Sequence, residues 1–153
     1  MVISRPVLYS KSAEYAIQAM IYLTENKSDS PTMIHKIASS YGIPSQFLSK
    51  IMQSLVKHRL IHATRGRTGG VTLAKSPKKI YLNDIVVSID GPILENPQCV
   101  IGLNLCSDEV PCPLHDQWKP IKEKMRHMLE NESLKHLTDR VIAKRDKMNR
   151  KSK

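Results

Sequence analysis

Between positions 32 and 74 the chain runs through a fixed succession: a short apolar-periodic stretch, a glycine, a longer amphipathic stretch, and two brief β signals around a glycine-rich basic tip. In the first stretch, about 32–41, Ile34, Ile37, Ala38 and Tyr41 recur at helical spacing, with Thr32 placed as N-cap and Gly42 as left-handed C-cap. The second begins at Pro44 or Ser45 and runs to about Arg59. Its apolar stripe is Phe47, Leu48, Ile51, Met52 and Leu55, and Gln46, Ser49, Lys50, Gln53 and Lys57 lie on the opposite face. The β signals, 61–64 and 71–74, flank Arg65-Gly66-Arg67-Thr68-Gly69-Gly70, which reads as a hairpin tip. Helix, glycine, longer helix, hairpin is the order of a winged helix-turn-helix.

Further helices are expected over about 12–25, 82–90 and 114–130. In the last, Leu114, Trp118, Ile121, Met125 and Met128 are spaced four, three, four, three. That is a heptad-like seam suited to pairing with another helix. Pro120 lies inside it and predicts a kink or a late start. Leu134, Leu137, Val141 and Ile142 fit a short docking helix. The expected fold is therefore mainly α: a winged helix-turn-helix domain (1–91), a cysteine-bearing loop (92–113), a long C-terminal dimerisation helix with docking segment (114–143), and a basic, disordered tail (144–153).

Charge narrows the partner class. The chain has 153 residues, a net charge of +10 and a pI near 9.7, which favours polyanions, nucleic acid first. The tail holds six cations against Asp146 alone, and the rest of the excess clusters between Lys50 and Lys79. No apolar run is long enough to span a bilayer and the first thirty residues lack a signal-peptide pattern, so a cytoplasmic location with no membrane partner is expected. On a recognition helix, Gln46, Ser49, Lys50 and Gln53 would reach base edges in the major groove. Arg65 and Arg67, with Thr68 and Gly69 in the tip, suit a narrow minor groove. A polar helix face or a basic tip alone is often only solvated; it is their order on one basic chain that points to double-stranded DNA.

All three cysteines fall within 99–112, on a stretch carrying Pro92, Pro97, Pro111, Pro113 and Gly102. Clustered thiols in a cytosolic chain indicate metal or redox chemistry rather than a disulfide framework. Cys99, Cys106 and Cys112 are spaced more widely than the pairs of structural zinc sites and can wrap an iron–sulfur cluster. His115 is a candidate fourth ligand, as is an acidic residue of a dimer partner or a small molecule. A thiol-oxidation switch and three metal-free thiols are the alternatives. No organic substrate, cofactor fingerprint or acid–base motif is evident, so an enzyme is not expected; an iron–sulfur carrier or redox protein is the rival from another class.

SAEYAIQAM at 12–20, GIPSQFLSKIMQSLVKHRLI at 42–61, RGRTGG at 65–70, and the cysteines ending in CPLH at 112–115 together resemble the IscR/NsrR (Rrf) family of winged-helix repressors, to about residue 142. The resemblance implies a homodimer on a partly palindromic operator and a 2Fe–2S or 4Fe–4S cluster on the three cysteines. Loss, oxidation or nitrosylation of that cluster would alter DNA affinity. It also implies His115, or Glu14 donated across the dimer, as fourth ligand.

Overall fold

The computed structural model describes residues 8–95 and 99–152, so Pro97 lies outside the described residues. The elements are α1 (Lys11–Glu25), α2 (Ile34–Tyr41), α3 (Ser45–Lys57), β1 (Ile61–Thr64), β2 (Gly70–Leu73), a 3-10 turn (Pro77–Lys79), α4 (Leu82–Asp90), α5 (His115–Asn131) and α6 (Leu134–Lys151). This is the expected mainly helical winged helix-turn-helix with a two-stranded antiparallel wing. Among the described residues no helix is long and apolar enough to cross a membrane.

The sequence of α1 explains its place. Ala13, Ala16, Ile17, Ala19, Met20, Ile21 and Leu23 are all buried, more than one face of a helix can hold. A helix apolar on several sides must be enclosed, and α1 packs against α2, α3, α4, α6 and β2. Its N-cap Ser10 accepts from the Ala13 N–H, while Asp90 at the end of α4 accepts from the Ser10 N–H at 2.7 Å and from its hydroxyl. Gly42, at φ +63°, ends α2 in the left-handed conformation; the Ile43 N–H then reaches back to Ala38 O at 2.9 Å and Ile43 is buried.

The start of α2 departs from expectation. Met33, not Thr32, occupies the cap and makes no side-chain bond. Thr32 instead exchanges two 2.9 Å backbone bonds with Val71, so its backbone groups are committed to the wing. The pairing shifts β2 one residue earlier than expected, to Gly70–Leu73, with Ile61 opposite Leu73 and Thr64 opposite Gly70. The hairpin is thereby fastened to the helix-turn-helix rather than left as a free flap.

Two more corrections concern the C-terminal part. α5 begins at His115 with Pro120 in its second turn, so the late start does not occur. The supposed docking segment and disordered tail are one helix, α6, through Lys151. No glycine or proline interrupts 134–152. Ser133 caps its start, and Leu134 N–H bonds Ile80 O at 2.8 Å. Near its far end Arg145 makes two bonds to Glu25, at 2.8 and 2.7 Å, and one to the Tyr41 hydroxyl at 3.1 Å. Phe47 also differs: expected on the buried stripe of α3, it is 41% exposed and meets Tyr15 edge-on at 5.8 Å.

Two stability tests follow from these contacts. A Cβ at Gly70 would drive into the backbone of Thr32, so Gly70→Ala is expected to lose about 1–3 kcal/mol in urea unfolding. Arg145→Ala, which removes a half-exposed ion pair, should change global stability by under about 1 kcal/mol yet speed amide hydrogen exchange over residues 143–151.

Candidate metal and nucleic-acid sites

Each cysteine is set by its own tight local structure in the connection between α4 and α5. Cys99 opens a turn closed by Gly102 N–H to Cys99 O at 2.9 Å, with Gly102 at φ +80°. Cys106 precedes a turn in which Ser107 N–H bonds Val110 O and Ser107 Oγ accepts from Val110 N–H, both at 3.1 Å. Cys112 O accepts the His115 N–H at 3.0 Å, joining the last thiol to the first turn of α5. The loop's early part is held to α5 by Arg126, which donates to Leu94 O at 2.9 Å.

These turns bring the three sulfurs within 4.8 Å of one another. Cys99 and Cys112 are buried and Cys106 is half-buried. The group sits in an open cleft of about 250 Å³, further lined by His115, Asp108, Trp118 and Lys119. His115 Nδ1 lies 3.1 Å from Cys106 Sγ, and Nε2 lies 2.9 Å from Asp108 Oδ1. Lys119 Nζ donates to both Asp108 oxygens at 2.7 Å.

Backbone donation from Cys112 and the hydrogen bond from His115 lower the Cys106 thiol to about 7, whereas burial raises that of Cys112. The Asp108 carboxylate and then Cys106 raise His115; Lys119 holds Asp108 below the ordinary carboxylate range. Three soft sulfur donors with an imidazole beside them suit an iron–sulfur cluster chemically. Glu14 lies outside this group: it stands on the first turn of α1 and pairs with Lys11 at 2.6 Å.

Outside the thiol cleft, α3 exposes Gln46, Lys50 and Gln53. Ser49 is half-buried, and its hydroxyl donates to Ser45 O at 2.9 Å. Arg65, Arg67 and Thr68 are exposed at the wing tip. Gly69 is buried, and a Cβ there would strike Thr64 O, so its part is to close the turn. Along the expected seam, Leu114, Ile121 and Met128 are 40–49% exposed, while Trp118 and Met125 are half-buried. Asp108 and Lys119 belong to no motif in the sequence. The only hint is that Lys119 stands four residues after His115, on one face of a helix.

A sequence profile of the family described as "Rrf2: Iron-dependent Transcriptional regulator" matches residues 9–140. A protein of Aquifex aeolicus, named as an HTH-type transcriptional regulator, is 30% identical over 133 residues, 86% of this chain and 91% of that one. Among solved structures, CymR, the global cysteine regulator of B. subtilis, superposes with a TM-score of 0.73 at 24% identity, covering 88% of this chain and 98% of CymR. IscR of T. potens superposes with a TM-score of 0.69 at 22% identity, covering 91% and 90%. At these identities the two structures bear on the fold alone, and they share it.

The thiol geometry predicts unequal reactivity in metal-free, reduced protein. The thiolate is the reactive form, so Cys106 should be alkylated first, at a rate that rises with pH through a midpoint near 7. The buried Cys99 and Cys112 should lag. His115→Ala should move the Cys106 midpoint upward, as read by mass spectrometry of timed alkylation.

Proposed function

This chain belongs to the Rrf2 family of transcriptional regulators, and on that footing we propose that it acts in the cytoplasm as a homodimeric repressor whose grip on a partly palindromic operator is set by an iron–sulfur cluster. The observation that carries the reading is the convergence of Cys99, Cys106 and Cys112 within 4.8 Å, on a loop that runs straight into α5. Those three would hold a 2Fe–2S or 4Fe–4S cluster. The fourth ligand would be His115, or Glu14 of the second copy. When bound, the cluster supplies a centre sensitive to iron supply, redox state and nitric oxide.

The chain's own parts divide the work. Gln46, Lys50 and Gln53, exposed on α3, read base edges, and Ser49 adjoins them. Arg65, Arg67 and Thr68 reach into the minor groove, with Gly69 keeping the tip tight. Leu114, Trp118, Ile121, Met125 and Met128 pair α5 with its copy. Operators in such proteins consist of two half-sites at fixed separation, so a shift of α5 changes the spacing of the two recognition helices and thereby the affinity.

A second reading is favoured by the same closeness of sulfurs together with the lowered Cys106 thiol: a cluster-free switch. There Cys106 and a neighbouring thiol join as a disulfide, with two electrons and two protons passing to a peroxide that leaves as water.

The deciding measurement is operator affinity of anaerobically purified protein, with iron and sulfide assayed on the same sample, before and after chelation of the cluster. An affinity change of about 5–150-fold is expected. Equal affinity in both states ends the cluster-control reading. Iron-free protein whose affinity follows peroxide treatment establishes the second.

A further inference from the structure

We propose that Asp108, clamped by Lys119, is the positioning residue that holds His115 with Nδ1 turned toward the three sulfurs, so that Nδ1 rather than Nε2 is the histidine donor of the metal site. The proposal rests on the metal-binding reading above and commits it to His115.

Geometry carries the argument. An imidazole has two nitrogens, and a neutral ring has one N–H and one lone pair. The ring here is fixed at both ends: Nε2 is 2.9 Å from a carboxylate oxygen, and Nδ1 is 3.1 Å from Cys106 Sγ. A carboxylate only accepts, so Nε2 carries a proton whether or not Nδ1 also donates to Cys106 in the metal-free chain; a metal ion that displaces the Nδ1 proton would then meet the Nδ1 lone pair on the sulfur side. A carboxylate–histidine pair of this kind sets tautomer and ring direction at metal centres generally. Asp108 is itself held: the Lys119 ammonium grips both of its oxygens at 2.7 Å. Lys119 and His115 stand one turn apart on α5, so ring, carboxylate and ammonium form a closed polar bracket around one helical turn.

Fold stability does not account for the arrangement. Asp108 and Lys119 keep 69% and 53% of their side-chain surface in water, and an ion pair so exposed contributes little to folding. The His115 ring, by contrast, keeps only 15%. The bracket therefore acts where the ring is enclosed, at the thiol cleft. Glu14, bound to Lys11 on α1, shows no comparable alignment within the chain.

The test uses the full chain, loaded anaerobically with its cluster, as wild type, Asp108→Ala, Asp108→Asn and Lys119→Met. Histidine labelled with nitrogen-15 at one ring position shows which nitrogen couples to the reduced cluster by electron–nuclear spectroscopy. Strong coupling from Nδ1 is expected, along with cluster retention against a chelator about 10–100-fold weaker in Asp108→Ala. Retention should recover in Asp108→Asn, whose amide oxygen still accepts, and urea midpoints should match throughout.

Coupling from Nε2, no histidine coupling at all, or undiminished retention in Asp108→Ala overturns the proposal. If the chain takes up no cluster, the reading under Proposed function fails by itself, and the apo protein decides this one. In the apo Cys106→Ser chain, which removes the competing thiolate, nitrogen-15 NMR at a pH where the ring is neutral should give His115 as the Nε2–H tautomer, relaxing to a mixture when Asp108→Ala is added. The same mixture in both chains overturns it.

Discussion

The enclosure of α1 is the constraint on which the rest of the molecule depends. Seven of its fifteen residues are buried, and no single partner could cover so much of a helix. α2, α3 and β2 take one part of that surface, α4 and α6 the others. The elements that would face DNA and α4, which leads into the cysteine loop, are thus packed on the same rod. Packed interiors are dense and deform little, so a displacement at one side of α1 is shared with the other. The Asp90 carboxylate strengthens the link, since it ends α4 two residues before the cysteine loop begins and grips the residue that caps α1.

The cysteine loop is built on the opposite plan. Val100, Ile101, Leu103, Leu105 and Val110 are 43–65% exposed, so little apolar burial holds it. Its order comes from polar ties: the turns at Gly102 and Ser107, Arg126 on Leu94 O, and the ring of Cys106, His115, Asp108 and Lys119. A segment stabilised in that way responds to whatever binds its thiols, because a metal centre would contribute a large share of its local stability. A sensor of the proposed kind would need such a segment, and the dense core around α1 could not serve as one.

What could be read from the sequence was what local chemistry decides. Periodicity located α1 to α5 and the first half of α6, Gly42 marked the end of α2, and RGRTGG marked the wing. Clustered thiols on a proline-rich stretch were legible as a site before any geometry. What escaped depended on partners far away in the chain. Thr32 looked like an N-cap, but its backbone is taken by Val71. Residues 144–151 looked like a solvated tail, yet Arg145 finds Glu25 across 120 positions and the helix continues. Phe47 fitted a helical stripe, but the neighbouring helices leave that position at the edge, against Tyr15. Asp108 carries no signature of its own, because its meaning depends on where the His115 ring points.

The two stripes of α5 suggest how a thiol site and a pairing surface would speak to each other. His115, Lys119, Lys122 and Arg126 line the cleft, spaced four, three, four. Leu114, Trp118, Ile121, Met125 and Met128 repeat the same rhythm one residue earlier, and one residue is about 100° of helical rotation. The cleft-lining stripe and the apolar stripe are therefore adjacent strips of one helix, and Trp118 borders both. Anything that draws the ligand stripe toward the sulfurs turns the apolar stripe by the same angle. Within a single chain Leu129, fully buried, and Met125, packed on the core, resist that rotation, while Leu114, Ile121 and Met128 keep 40–49% of their surface in solvent. For two copies joined along those residues it would change how knobs meet holes, and a helix–helix contact shifts between discrete packings rather than sliding smoothly. In such a dimer a small displacement at a thiolate would become a choice between two separations of the recognition helices.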